Sequence, residues 1–233
     1  GLPLRVKAYV FVVAAAGISA VAVAASYLSI SREAVLASLI FLFSIIISDA
    51  FSSLIPAFRS QVSASIALWV AACLTLGPSA GLVVSSMATL ISELYLRFPE
   101  IKRRGRFPIY LVAFNVGQVA VSVAMLALVI RLSSISIGSL RGVDDFAKAL
   151  SAFVSTVLVN SALVSGVVAL STGQPFRFLT IEWFRDFGLQ YLTLGISALL
   201  LTVLYSISPW HMLLGLTPLV LVHLSFRSYL RIR

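Results

Sequence analysis

The chain is laid out as apolar runs separated by prolines and cations, and the lengths of those runs constrain it more than any single motif. From Ala8 to Ile30 there are 23 positions without a charged residue. Crossing a hydrocarbon core of about 30 Å takes about 20 helical residues. Reading the sequence for such runs and their breakers gives eight segments: 8–30, 34–56, 62–77, 79–96, 108–131, 148–170, 188–207 and 210–227. The third and fourth meet at Gly77-Pro78, a signal for a tight helical hairpin. Pro56, Pro99, Pro108, Pro175 and Pro209 fall at or near segment ends, where a missing N–H costs least. The first run ends in Ala-Val-Ala-Ala-Ser and could imitate a cleaved secretory signal, but it is long for one and is read as a span. At 60% hydrophobic and 11% charged residues, the chain has too little polar surface for a water-soluble globule of 233 residues.

The expected fold is therefore an all-α integral membrane bundle of about eight transmembrane helices. If the third and fourth segments form a re-entrant hairpin, the number falls to six. Residues 1–233 make a single transmembrane domain, with 8–30 as a peripheral first helix and 34–227 as the helical core. The stretch 174–187, QPFRFLTIEWFRDF, is too polar to span and reads as an amphipathic helix lying at the headgroups.

Charge sets the orientation. Lys and Arg number 17 against 8 acids, a net charge of +9 that in a soluble protein would suggest nucleic acid. Here the cations sit between the apolar runs or at their ends, as in loops held at an anionic leaflet. With the N-terminus inside, thirteen cations fall on the inner side: Arg5, Lys7, Arg59, Arg97, Lys102, Arg103, Arg104, Arg106, Arg177, Arg185, Arg227, Arg231 and Arg233. Only Arg32, Arg131, Arg141 and Lys148 fall outside. This bias places both termini in the cytoplasm of a cell whose inner membrane the chain crosses several times. Lys102, Arg103, Arg104 and Arg106, in the basic loop RFPEIKRRGR, are the candidates for binding anionic lipid or a partner. On the outer side, Asp144 and Asp145 are expected to cap the following helix, with Lys148 one turn on.

Ionisable and amide groups inside apolar runs are the functional candidates, since a charge at mid-span costs roughly 2.5–3.5 kcal/mol. Asp49 lies deep in the second run, among Ser48, Ser52 and Ser53, and is read either as a ligand or proton site or as an early helix end. Glu93 stands one turn before Arg97, a favourable acid-to-base pair. In the fifth run Asn115, Gln118 and Ser122 are spaced i, i+3, i+7 and share a face that Asn160 of the next run could reach. They either hold helices together or line a polar pocket, and with Asp49 they are the pocket candidates. Gly81, Ser85, Thr89 and Ser92 make a small-residue stripe suited to close helix packing.

Enzymatic and cofactor chemistry finds little to work with. One deep Asp is not an aspartyl-protease dyad, and no GxSxG elbow, HExxH, Walker loop or dinucleotide fingerprint occurs. His211 and His223 are about 18 Å apart along a helix and cannot share a metal or haem. The single cysteine, Cys73, forms no intramolecular disulfide and reads as a small packing residue. No cofactor, metal or nucleic-acid partner is expected.

Two resemblances add to this. Residues 61–96, QVSASIALWVAACLTLGPSAGLVVSSMATLISEL, resemble the second and third helices of the substrate-binding S components of energy-coupling-factor transporters. The resemblance implies an S-component-like six-helix core that holds a vitamin or ion near the outer face. Over nearly the whole length, the opening LPLRVKAYV, the FNVGQVAVS helix and the tail from NSALVSGVVALSTGQPF through QYLTLG to SPWHMLLGLTPLVLVHLSFRSYLRIR are similar to another group. These are the N-terminal membrane modules of bacterial signalling proteins that carry HD-type phosphohydrolase or GGDEF domains. That resemblance implies sensing of a membrane or periplasmic cue and relay to a cytoplasmic output. No HD or GGDEF sequence lies within the 233 residues, so no catalytic residue is carried over. The function expected is a non-catalytic sensory or ligand-binding module of the bacterial inner membrane, taking a small molecule and feeding a cytoplasmic signalling output. Its expected partners are an anionic inner leaflet and either a membrane protein or a second copy. The alternatives are an S-component-like transporter subunit and an accessory subunit of a larger membrane complex.

Overall fold

The computed structural model describes residues 3–28, 32–50, 53–55, 60–62, 64–104, 108–140, 142–217 and 221. Among them are seven α-helices: α1 (Leu4–Ser26), α2 (Arg32–Ala50), α3 (Ser65–Leu76), α4 (Pro78–Arg104), α5 (Ile109–Leu132), α6 (Val143–Thr172) and α7 (Phe176–Ile207). A short antiparallel hairpin, β1 (Ser53–Ile55) with β2 (Ser60–Val62), links α2 to α3 and sets Leu54 opposite Gln61. A 3-10 turn at Pro209–His211 and a helical stretch at 212–217 follow α7. The rest of the basic C-terminal end, with His223, lies outside the described residues.

Among the described residues, five helices are long and apolar enough to cross a membrane: α1, α4 over Pro78–Phe98, α5, α6, and α7 over Gly188–Ile207. Two more apolar stretches, Ala34–Ala50 and Ser65–Leu76, are shorter. The helices end where local chemistry stops them. Gly77 takes φ +91°, open to glycine alone without strain, and Pro78 then starts α4 where its missing N–H is not needed. Gly173 closes α6 in the left-handed conformation, its N–H donating to the Ala169 carbonyl at 2.8 Å.

Four expectations are revised. The helix of the second run is described to Ala50, one residue after Asp49, and Ser53–Ile55 of the same run form a hairpin strand instead. The polar 174–187 stretch is not a separate surface helix, because α7 continues from Phe176 through Gly188 to Ile207. One glycine costs a helix only about 1 kcal/mol, and no proline interrupts the stretch. The basic segment after Arg97 is largely helical, since α4 runs through Pro99 to Arg104. On the far side, the cap of α6 is Gly142, while Asp144 and Asp145 occupy its first turn, where the helix dipole favours them. Asp144 pairs with Lys148 as the spacing suggested.

The core forms around α3. Every residue from Ser65 to Thr75 is buried, and the helix touches α2, α4, α5, α6 and α7. At its C-terminal end Leu74 accepts from the Gly138 N–H at 2.8 Å, tying α3 to the α5–α6 loop. At that same end of the bundle, Arg131 of α5 donates to Ser79 of α4 at 3.2 Å and lies over the Tyr27 ring after α1. α1 packs chiefly on α5, crossing it with backbone nearly touching at Gly17 and Gly117. A second, smaller apolar cluster of Val6, Val10, Val13 and Phe114 holds this junction, and the Tyr9 hydroxyl donates to the Leu163 carbonyl of α6.

Candidate functional site: a buried polar layer across α4, α5 and α6

α4, α5 and α6 run antiparallel in sequence, and the level at which polar side chains meet follows from their register. Arg131 meets Ser79 at one end of the α4–α5 pair. Nearly four turns along, the Asn115 amide donates to Glu93 Oε1 at 2.8 Å. The other Glu93 oxygen accepts from Arg97 Nε at 3.3 Å, the intrahelical pair expected from the spacing. One turn further along α5, Gln118 Nε2 donates to Asn160 Oδ1 of α6. Ser122 turns back on its own helix and donates to the Gln118 carbonyl at 2.8 Å.

The stripe read from the sequence is therefore brought together and divided between two neighbours. Asn115 faces α4, Gln118 faces α6, and Ser122 serves its own backbone. Glu93, Gln118 and Asn160 are all buried, and Ser122 is fully so. The Asn115–Glu93 and Gln118–Asn160 bonds each join two helices in a largely apolar interior, where such pairs contribute about 0.6–2 kcal/mol apiece.

Asp49 stands elsewhere, half-buried in the last turn of α2, which packs on α3 and α4. Lys102 is exposed, Arg103 and Arg104 share the final turn of α4, and Arg106 lies outside the described residues. Cys73 is buried against Gly81, whose added Cβ would come within 2.6 Å of the Cys73 backbone, so the small-residue stripe of α4 does pack closely. Among the described residues no three His, Cys, Asp or Glu side chains stand together as a metal site would require.

Sequence reading missed a second set of polar groups. Trp69 Nε1, the hydroxyls of Ser85, Ser86 and Ser161, and Gln190 Oε1 are buried without a hydrogen-bond partner. Ser85 stood out only as a small residue, and Trp69 only as one apolar residue among others. Their signal would have been the register of α3 against α4, which no linear spacing carries.

No family model matches the chain, and no curated protein and no solved structure matches it either.

Proposed function

We propose that this chain is a multi-pass module of the bacterial inner membrane that binds a small ligand and relays its occupancy, without catalytic chemistry of its own. Its termini are cytoplasmic and its apolar elements make six to eight passages of the bilayer. The observation that carries the reading is the buried polar layer: two interhelical hydrogen bonds donated by side-chain amides, and a buried carboxyl group, in a largely apolar bundle. Polar side chains at such depth are costly and are kept where they meet each other or a ligand. A ligand carrying its own amide or carboxylate competes for the Gln118–Asn160 and Asn115–Glu93 pairs. It then favours one packing of α5 between α4 and α6 over another, and that difference is what a signal requires. α6 passes into α7 through the short turn at Gly173, which leads the change toward the C-terminal end. The similarity to membrane modules of HD and GGDEF proteins supports this direction of relay.

The test is a thermal-shift screen of small amides and carboxylates on the intact chain in lipid nanodiscs, run beside Asn115→Leu and Asn160→Leu. Stabilisation by a compound that both variants lose supports the reading. Hits that both variants keep with unchanged affinity overturn it. A second reading, a transporter's binding subunit, is favoured by the short enclosed α3 and the Gly81–Cys73 contact, which resemble an S component. Copurification with an ATPase from native membranes would select it.

A further inference from the structure

α3 and α4 approach closely at Cys73 and Gly81, where a Cβ on Gly81 would lie 2.5 Å from the Cys73 sulfur and 2.6 Å from its Cα. The two helices are antiparallel, so one turn deeper the register brings Trp69 of α3 opposite Ser85 of α4. Both carry polar atoms, Trp69 Nε1 and Ser85 Oγ, that are buried and have no hydrogen-bond partner. The Ser86 hydroxyl, next on the same turn, is in the same condition. Ser85 is wholly enclosed and Trp69 is 7% exposed, so bulk solvent does not satisfy them. Ordinary helix-core hydroxyls nearby behave differently: Thr89 and Ser92 donate to the carbonyls of Ser85 and Ala88, one turn back.

We propose that this seam is a binding site for one or two water molecules, held between the Trp69 indole N–H and the Ser85 hydroxyl. Buried polar groups in folded proteins find partners, and a buried water settles where two to four such groups converge. The chemistry of the set selects the guest. An indole N–H only donates, and a hydroxyl both donates and accepts, so the guest must accept from one side and exchange bonds on the other. No charged side chain belongs to the set, which disfavours an ion. The close Gly81–Cys73 approach lies one turn away and Ser85 is wholly enclosed, which favours a very small guest. The site is separate from the α4–α5–α6 layer and does not depend on that layer binding a ligand.

The experiment uses the whole chain in deuterated-lipid nanodiscs with 15N-labelled tryptophan. Trp69→Phe identifies the Trp69 indole resonance among the three tryptophans. A through-space cross-peak from water to the Trp69 indole proton is expected in the unaltered protein, together with a shift of that resonance in Ser85→Ala. The melting temperatures of Trp69→Phe, Ser85→Ala and the double variant should fall, with the double variant falling no further than the larger single loss. An indole proton without a water cross-peak overturns the proposal. If it shifts on Ser85→Ala, the two side chains bond directly; if it does not, the seam is dry. A rise in melting temperature for Ser85→Ala also overturns it.

Discussion

Gln118 serves two neighbours at once, because its side chain donates to Asn160 while its carbonyl oxygen accepts from Ser122. Removing one member of the amide pair strands the other in the interior, which costs about 1–3 kcal/mol. Gln118→Leu and Asn160→Leu should each lower stability by that amount. The double variant should lose less than their sum, measured by thermal or denaturant unfolding in micelles. Glu93→Leu should cost more than Asn115→Leu, since it deprives both Arg97 and Asn115 of their acceptor. This much of the layer was legible in the sequence. The i, i+3, i+7 spacing put three side chains on one face, and Asn160 was within reach on the next run. The Asn115–Glu93 bond was not legible, because the i,i+4 pairing of Glu93 with Arg97 already gave the carboxylate a sufficient partner.

Glycine at a helix crossing acts on whole elements. A Cβ on Gly117 would sit 2.7 Å from Ala14 Cα and 2.8 Å from the Val13 carbonyl, backbone atoms that a side-chain rotation cannot move away. Gly117→Val should therefore cost about 1–3 kcal/mol, toward the upper end, and loosen α1 from α5. Disulfide trapping between α1 and α5 should become slower. Gly188 is the opposite case, a glycine inside α7 with open space where its Cβ would go. Gly188→Ala should stabilise by about 0.4–1 kcal/mol, seen as a higher melting temperature. The bounds of α5 fall within one residue of the apolar run, because Pro108 and a cation mark its ends. The continuity of α7 and the early end of α2 were less legible. Polarity alone does not break a helix, and the hairpin after Ala50 forms within a run that is still apolar.

The molecule as a whole turns large apolar side chains outward on several helices. Phe11 and Ile18 of α1, Val154 and Leu158 of α6, and Leu192 and Ile196 of α7 are all exposed. In water such a surface would be a liability, and under the proposed function lipid tails cover it. The orientation is open to a direct check. Cys73 is fully buried and unreactive, so a cysteine at Lys102→Cys or Ser134→Cys is the accessible thiol in each case. A membrane-impermeant maleimide should label position 134 in intact cells and position 102 only after permeabilisation. The reverse pattern would invert the topology and remove the cytoplasmic placement of the basic helix end. α3 carries a consequence of a different kind. Its 12 residues reach about 18 Å, too short to hold a bilayer position unaided, and five other helices enclose it. It can settle only after those helices have gathered. Its amides should then be the last to exchange with deuterium, and assembly during synthesis should complete by closing around it.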